Sequence, residues 1–193
     1  MGIFSPPDFE KMLRDGDMPR LIYWALHDKA PPESRAAMTV LHREVDAVVE
    51  YLYETAMWAE SHSVGRRKRL PTRSIRLLNE AGRALTRIGT RAVTPLVSSI
   101  RVYDAFGRPE ENARYLYHVL VFDILDKIGS SAASGLRELA ADPHRDVRKL
   151  AREALEKLEA RGLLDEENDE PDEGKELDED NELDERDTQD DRA

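Results

Sequence analysis

"ALTRIGTRAVTPLVSSI" at residues 84–100 and "ILDKIGSSAASGLRELA" at residues 124–140 are two versions of one stretch. A shift of 40 residues sets Leu85 over Leu125, Ile88 over Ile128 and Gly89 over Gly129. The same shift sets Ala92 over Ala132, Val93 over Ala133, Pro95 over Gly135 and Leu96 over Leu136. Each copy reads as the end of a helix, a glycine stop and the start of the next apolar helix. Glycine suits the stop because helices commonly close on a left-handed residue just past the last turn. Self-similarity on this scale is the mark of stacked supersecondary units.

Working outward, "DPHRDVRKLAREAL" at 142–155 opens the most regular helix of the chain. Val147, Leu150, Ala151, Ala154, Leu155 and Leu158 follow the helical period and make one apolar stripe. Asp142 followed by Pro143 predicts the helix start, a cap residue and then a proline tolerated in the first turn. Weaker copies precede these. Residues 17–41 give a short helix, a proline-containing turn and a second helix, whose Ala37, Val40 and Leu41 match Ala151, Ala154 and Leu155. Residues 45–62 give another first helix, and residues 72–89 its partner after a basic loop. The anchors Leu41, Leu85, Leu125 and Leu155 are spaced by 44, 40 and 30 residues.

Alternating runs of β-branched residues are missing, so the spacing predicts an all-α body. One helix pair has too much apolar surface to stand alone, and neighbours must stack. The expected fold is an α-α superhelix, an armadillo/HEAT-like solenoid of about four helix pairs over residues 1–163. An irregular helical bundle is the alternative arrangement.

On "IGTRAVTPL", "IGSSAASGL" and "DPHRDVRKLAREAL" the chain resembles the HEAT-like repeat family, in particular its short phycobilisome-lyase-like subtype. The resemblance covers roughly residues 10–160. The family pattern places an arginine after the valine of the second helix, here Arg148. The matching slots of the earlier units hold Ser34, Leu78 and His118. The resemblance implies that the second helix of each pair lines a concave surface. HEAT-like iron hydroxylases use His-Glu dipeptides, and this chain has none. A DNA glycosylase or lyase activity by kinship would need site residues or a pocket that the sequence does not identify.

Charge divides the chain in two. Residues 165–193 hold 17 acidic and 3 basic residues, whereas the rest carries a net charge of +3. After Leu164 the segment has almost no apolar side chains beyond Leu177 and Leu183, too few to offset the entropy of ordering. Residues 164–193 are therefore expected to be a disordered acidic tail. It has two readings: a solubilising extension, or a segment that contacts the protein's own basic stripe and competes with an anionic ligand.

The sharpest local signal is "GRRKRLPTRSIR" at 65–76. From Arg66 to Arg91 there are nine basic residues against the single acid Glu80. Arg66, Arg67, Lys68 and Arg69 fall in a loop ended by Pro71, and Arg73 follows at the helix start. Arg76, Arg83 and Arg87 recur at helical spacing, opposite the stripe of Leu77, Ala81, Leu85 and Ile88. In a stacked array these cations would line the groove, joined by Arg114 of the next unit. A positive groove attracts phosphates or acidic segments by long-range Coulomb steering. A solvated face carrying local salt bridges is the bland reading of the same pattern.

Aromatic residues concentrate in the first third, with Trp24, Trp58, Tyr23, Tyr51 and Tyr53. Packing accounts for most of them, but the spacing of Tyr53 and Trp58 predicts that at least one faces outward. His27, His42, His62, His118 and His144 form no metal-ligand spacing on a helix. His118 is expected as a packed residue. No phosphate loop, dinucleotide fingerprint or nucleophile elbow occurs.

Absence of cysteine rules out disulfides and thiol chemistry. The longest apolar run, "HVLVFDIL" at 118–125, is far short of a membrane span, and "MGIFSPPDF" lacks the features of a signal peptide. The expectation is a cytoplasmic, non-catalytic binding scaffold without cofactor or metal. Its partner would be another protein, held by an acidic segment at Arg66, Arg67, Lys68, Arg69, Arg73, Arg76, Arg83 and Arg87. Nucleic-acid association through the same residues is the alternative. The aromatic side chains that single-strand binding would interleave are absent from that segment.

Overall fold

The computed structural model describes residues 7–27, 31–63, 69–105 and 111–164. These fold into helices: α1 (Phe9–Arg14), α2 (Met18–Leu26), α3 (Pro31–Arg43), α4 (Val45–Ser61), α5 (Thr72–Ile88), α6 (Val93–Ala105), α7 (Glu111–Ile128), α8 (Ala133–Ala140) and α9 (Arg145–Ala160). There is no β-sheet among the described residues. Of the segment expected to form the acidic tail, residues 165–193 lie outside them.

Local chemistry sets several boundaries. Asp8 caps α1 by accepting from the Lys11 amide at 2.9 Å. Asp17 does the same for α2, with Pro19 in the first turn, where its missing N–H costs nothing. Arg43 of α3 reaches back to Glu10 of α1 at 2.7 Å, and that bond holds the Glu10 carboxyl below its ordinary range.

The two quoted stretches fold alike. α5 ends at Gly89 and runs through a 3-10 turn, Gly89–Ala92, into α6; α7 ends at Gly129 and passes through Gly129–Ala132 into α8. Both glycines have positive φ, 70° and 85°. At Gly89 ψ is −134°, so the stop lies not in the left-handed helical region but in a mirror-extended region open mainly to glycine. Leu85 and Leu125, Ala92 and Ala132, and Leu96 and Leu136 are all fully buried.

The final helix starts later than its sequence suggested. Asp142 is not the cap; α9 begins at Arg145. Asp142 is buried and accepts from the His144 amide two residues on, at 2.8 Å, closing an Asx turn ahead of the helix. Arg101 of α6 lies 3.6 Å from the same carboxylate, so the turn is also tied to the preceding unit.

Packing follows the sequence pairs. α2 lies against α3, α4 against α5, and α8 against α9, while α7 runs through the middle against α4, α5, α6 and α9. Successive units touch in two rows. α5 packs on α7 and α7 on α9; α4 packs on α6 and α6 on α8. In the second row Gly135 permits the approach, since a Cβ there would stand 2.8 Å from Val97. Fully buried leucines recur along the chain, among them Leu21, Leu41, Leu52, Leu85, Leu125, Leu136 and Leu158. Each contributes on the order of 2 kcal/mol by leaving water.

The slot in which the units differ has a structural role. Arg148 donates to the carbonyls of Asp142 and Pro143, at 2.7 and 2.6 Å, just past the end of α8. Ser34 occupies the equivalent place in α3 and donates to the Ala25 carbonyl in the last turn of α2, at 2.8 Å. Both side chains therefore close the turn within a pair. Among the described residues no helix is long and apolar enough to cross a membrane.

Candidate functional site

The basic stripe of α5 divides between two faces. Arg83 and Arg87 point to the α7 side, where they rim a groove of about 580 Å³. Its α5 wall adds Leu78, Asn79, Gly82 and Thr86; its α7 wall is Leu120, Asp123, Ile124 and Lys127. Gly82 adds no side chain to this wall, and a Cβ there would make only ordinary contact with Ile124, at 3.6 Å. Thr86 spends its hydroxyl on the Gly82 carbonyl at 2.9 Å. The result is an apolar floor under a polar rim.

Three cations and one acid line this groove, a net of two positive charges. They are not equally available. Lys127 is paired with Asp123 at 2.6 Å. Arg87 donates to the Ala25 carbonyl at 3.3 Å, which anchors α5 to the end of α2. Arg83 is exposed and makes no ion pair or hydrogen bond with the described residues.

Arg73 opens into a different cleft. With Tyr51, Glu54, Thr55 and Trp58 of α4, and with Pro19 and Leu77, it lines a second cleft of about 480 Å³. Trp58 is 45 % exposed and stacks on His62 at 4.3 Å, so it is the outward aromatic of its helix. Tyr53 instead packs edge-on against buried Tyr117, at 5.3 Å. The Tyr51 hydroxyl is buried without a hydrogen-bond partner among the described residues. Burial raises its pKa; Thr55, outside hydrogen-bond geometry, and Arg73 oppose the shift, and Glu80 adds to it.

The remaining predicted contacts scatter. Arg76 is exposed and sits 3.5 Å from Glu80 on its own helix, the local pairing of the bland reading. Arg69 is exposed just before α5. Arg66, Arg67 and Lys68 lie outside the described residues. Arg114 does not join Arg83 and Arg87; it lines a separate cleft with Tyr115, His118, His144, Arg145 and Asp146, between α7 and the start of α9. His118 is buried, as expected of a packed residue.

The sequence reading missed the α7 wall, although its signal was present. The shift of 40 that aligns the glycines also sets Arg87 over Lys127 and Arg83 over Asp123. Because α5 packs against α7, equivalent positions of the two copies meet across the groove, and the second half of the rim pairs with the first. Among the described residues no cluster of His, Asp or Glu could hold a metal ion. No family model, curated protein or solved structure matches the chain.

Proposed function

We propose that the protein is a HEAT-like α-solenoid of stacked helix pairs that acts as a non-catalytic binding scaffold, holding an acidic segment of a partner protein between α5 and α7. The observation that carries the reading is the groove itself: Leu78, Leu120 and Ile124 below, Arg83, Arg87 and Lys127 at the rim. An amphipathic acidic peptide has the complementary pattern, with apolar side chains for the floor and carboxylates for the rim. The mechanism is surface complementarity on a rigid stack, with charge governing encounter and orientation. Row-by-row contact of successive units and the two matching glycine turns support the solenoid. Among the described residues no aromatic ring lines this groove, which favours a peptide over stacked nucleic-acid bases. Cytoplasmic residence is part of the same proposal.

The test is fluorescence anisotropy with a labelled leucine- and glutamate-containing peptide, beside a single-stranded oligonucleotide of equal charge. Arg83→Glu removes an exposed cation that makes no ion pair or hydrogen bond with the described residues. It is expected to weaken the peptide about five- to tenfold at low ionic strength. Unchanged peptide affinity would overturn the reading. Tighter oligonucleotide binding, lost in the same variant, would replace it with nucleic-acid association.

A further inference from the structure

The chain leaves the described residues beside this groove. Past α9, Leu163 lies against Gly129, 3.9 Å from where a Cβ would stand. Arg161 donates to the Asp126 carbonyl at 3.1 Å and pairs with the Asp126 carboxylate. Residue 164 is thereby tethered to the last turn of α7, whose next residue, Lys127, rims the groove. From there 29 residues continue, with 17 acids and 3 bases.

Their pattern fits the groove. Glu-Leu-Asp occurs at 176–178 and again at 182–184, supplying the two leucines of the segment, each between carboxylates. We propose that this segment docks on the chain's own groove, with Leu177 or Leu183 on the floor formed by Leu78, Leu120 and Ile124. The flanking carboxylates then face Arg83, Arg87 and Lys127, and the segment competes with an external acidic partner. The inference rests on the groove reading above and names its resident occupant.

Reach is sufficient. Crossing the width of α7 takes about 10 Å, or three to four extended residues. The α5 wall from Leu78 to Arg87 runs about 14 Å, whereas the 13 residues from Leu164 to Leu177 span up to about 43 Å. A tether of this kind holds the segment near the groove at an effective concentration around the millimolar range. Even a contact of about 0.1 mM intrinsic affinity would then weaken an external competitor roughly tenfold.

The absence of cysteine allows a clean probe. A nitroxide on the full chain at Gly174→Cys reports on nearby amides by NMR. At low salt, signals from residues 82–87 and 124–127 should lose more than about half their intensity, while those of α1, which packs on α2 and α3, are spared. Leu177→Ser combined with Leu183→Ser, or about 0.5 M salt, should restore them. Broadening confined to α9, or indifferent to the leucine changes, would overturn the proposal. So would broadening that grows with protein concentration, which would mean docking onto a second copy.

The external leucine–glutamate peptide, added to the same labelled chain, separates the two readings. If it displaces the label from α5, both stand. If it shifts the groove signals while the label never broadens them, the resident occupant is wrong and the scaffold reading survives. If neither touches the groove, both fall.

Discussion

The α5–α6 and α7–α8 segments are one plan built twice: their anchor leucines and glycine turns coincide, while the charges they turn to the groove do not. Inside, Leu85 and Leu125 are equally buried, and so are Leu96 and Leu136. Both turns begin on a glycine with positive φ. Outside, Arg83 and Arg87 of the first copy face Asp123 and Lys127 of the second. The first pair is cationic, whereas the second neutralises itself across 2.6 Å. Packing dictates volume and spacing at core positions and leaves the sign of a surface charge open. The groove is thus a seam between a charged copy and a neutral one.

The severest challenge to the equivalence is to its core. Leu85→Ala and Leu125→Ala each remove a fully buried side chain from a helix that packs against four others. Each is expected to cost about 2–5 kcal/mol, by the lost transfer energy plus the cavity left behind. Urea unfolding should place the two losses within about 1 kcal/mol of each other. A much larger loss at one site would mean that the two copies share a sequence pattern but not a mechanical role.

A smaller effect is expected at the turns. Gly89→Ala and Gly129→Ala put a Cβ at φ of 70° and 85°. A new Cβ meets nothing within 4 Å at Gly89 and only ordinary contact with Leu163 at Gly129. The cost is therefore backbone strain alone, about 1–3 kcal/mol at either site. Thermal unfolding of the two variants should shift in parallel. An unaffected Gly89→Ala would show that the turn can relax to another backbone path and does not fix the angle between α5 and α6.

What was legible in the sequence follows the same division. Helices, glycine stops and anchor leucines could be read because burial imposes a period and turns impose a backbone. The cation pattern on α5 could also be read, but not its division, since Arg73 and Arg83 line different clefts and meet different neighbours. Periodicity fixes a face only to within a broad stripe. Which flank joins which cleft depends on where α4 and α7 pack. Asp142 shows a similar gap: an Asp-Pro pair is an equally good cap or Asx turn, and the nearby Arg101 goes with the second. The Tyr51–Trp58 cleft beside Arg73 needed both helices in place before its aromatic residues could be assigned to one hollow.

The mildest substitution bears on the seam itself. Asp123→Asn would make the second copy resemble the first, by removing the only acid among the described residues that line the groove and releasing Lys127 from its pair. That pair is exposed on both sides, its side chains 58 % and 52 % accessible, so little stability should be lost; exposed pairs of this kind contribute about 0–1 kcal/mol. The groove's net charge rises from two to three. Binding of the leucine–glutamate peptide should tighten about two- to threefold at low ionic strength, and the gain should vanish near 0.5 M salt as screening shortens to a few ångströms. Calorimetry at both salt concentrations separates this from a change in fold. A gain that persists in high salt would assign the effect to a new hydrogen bond from the amide. No gain at all would mean that Asp123 and Lys127 act as one neutral unit, and that the charge of the groove comes from the α5 copy alone.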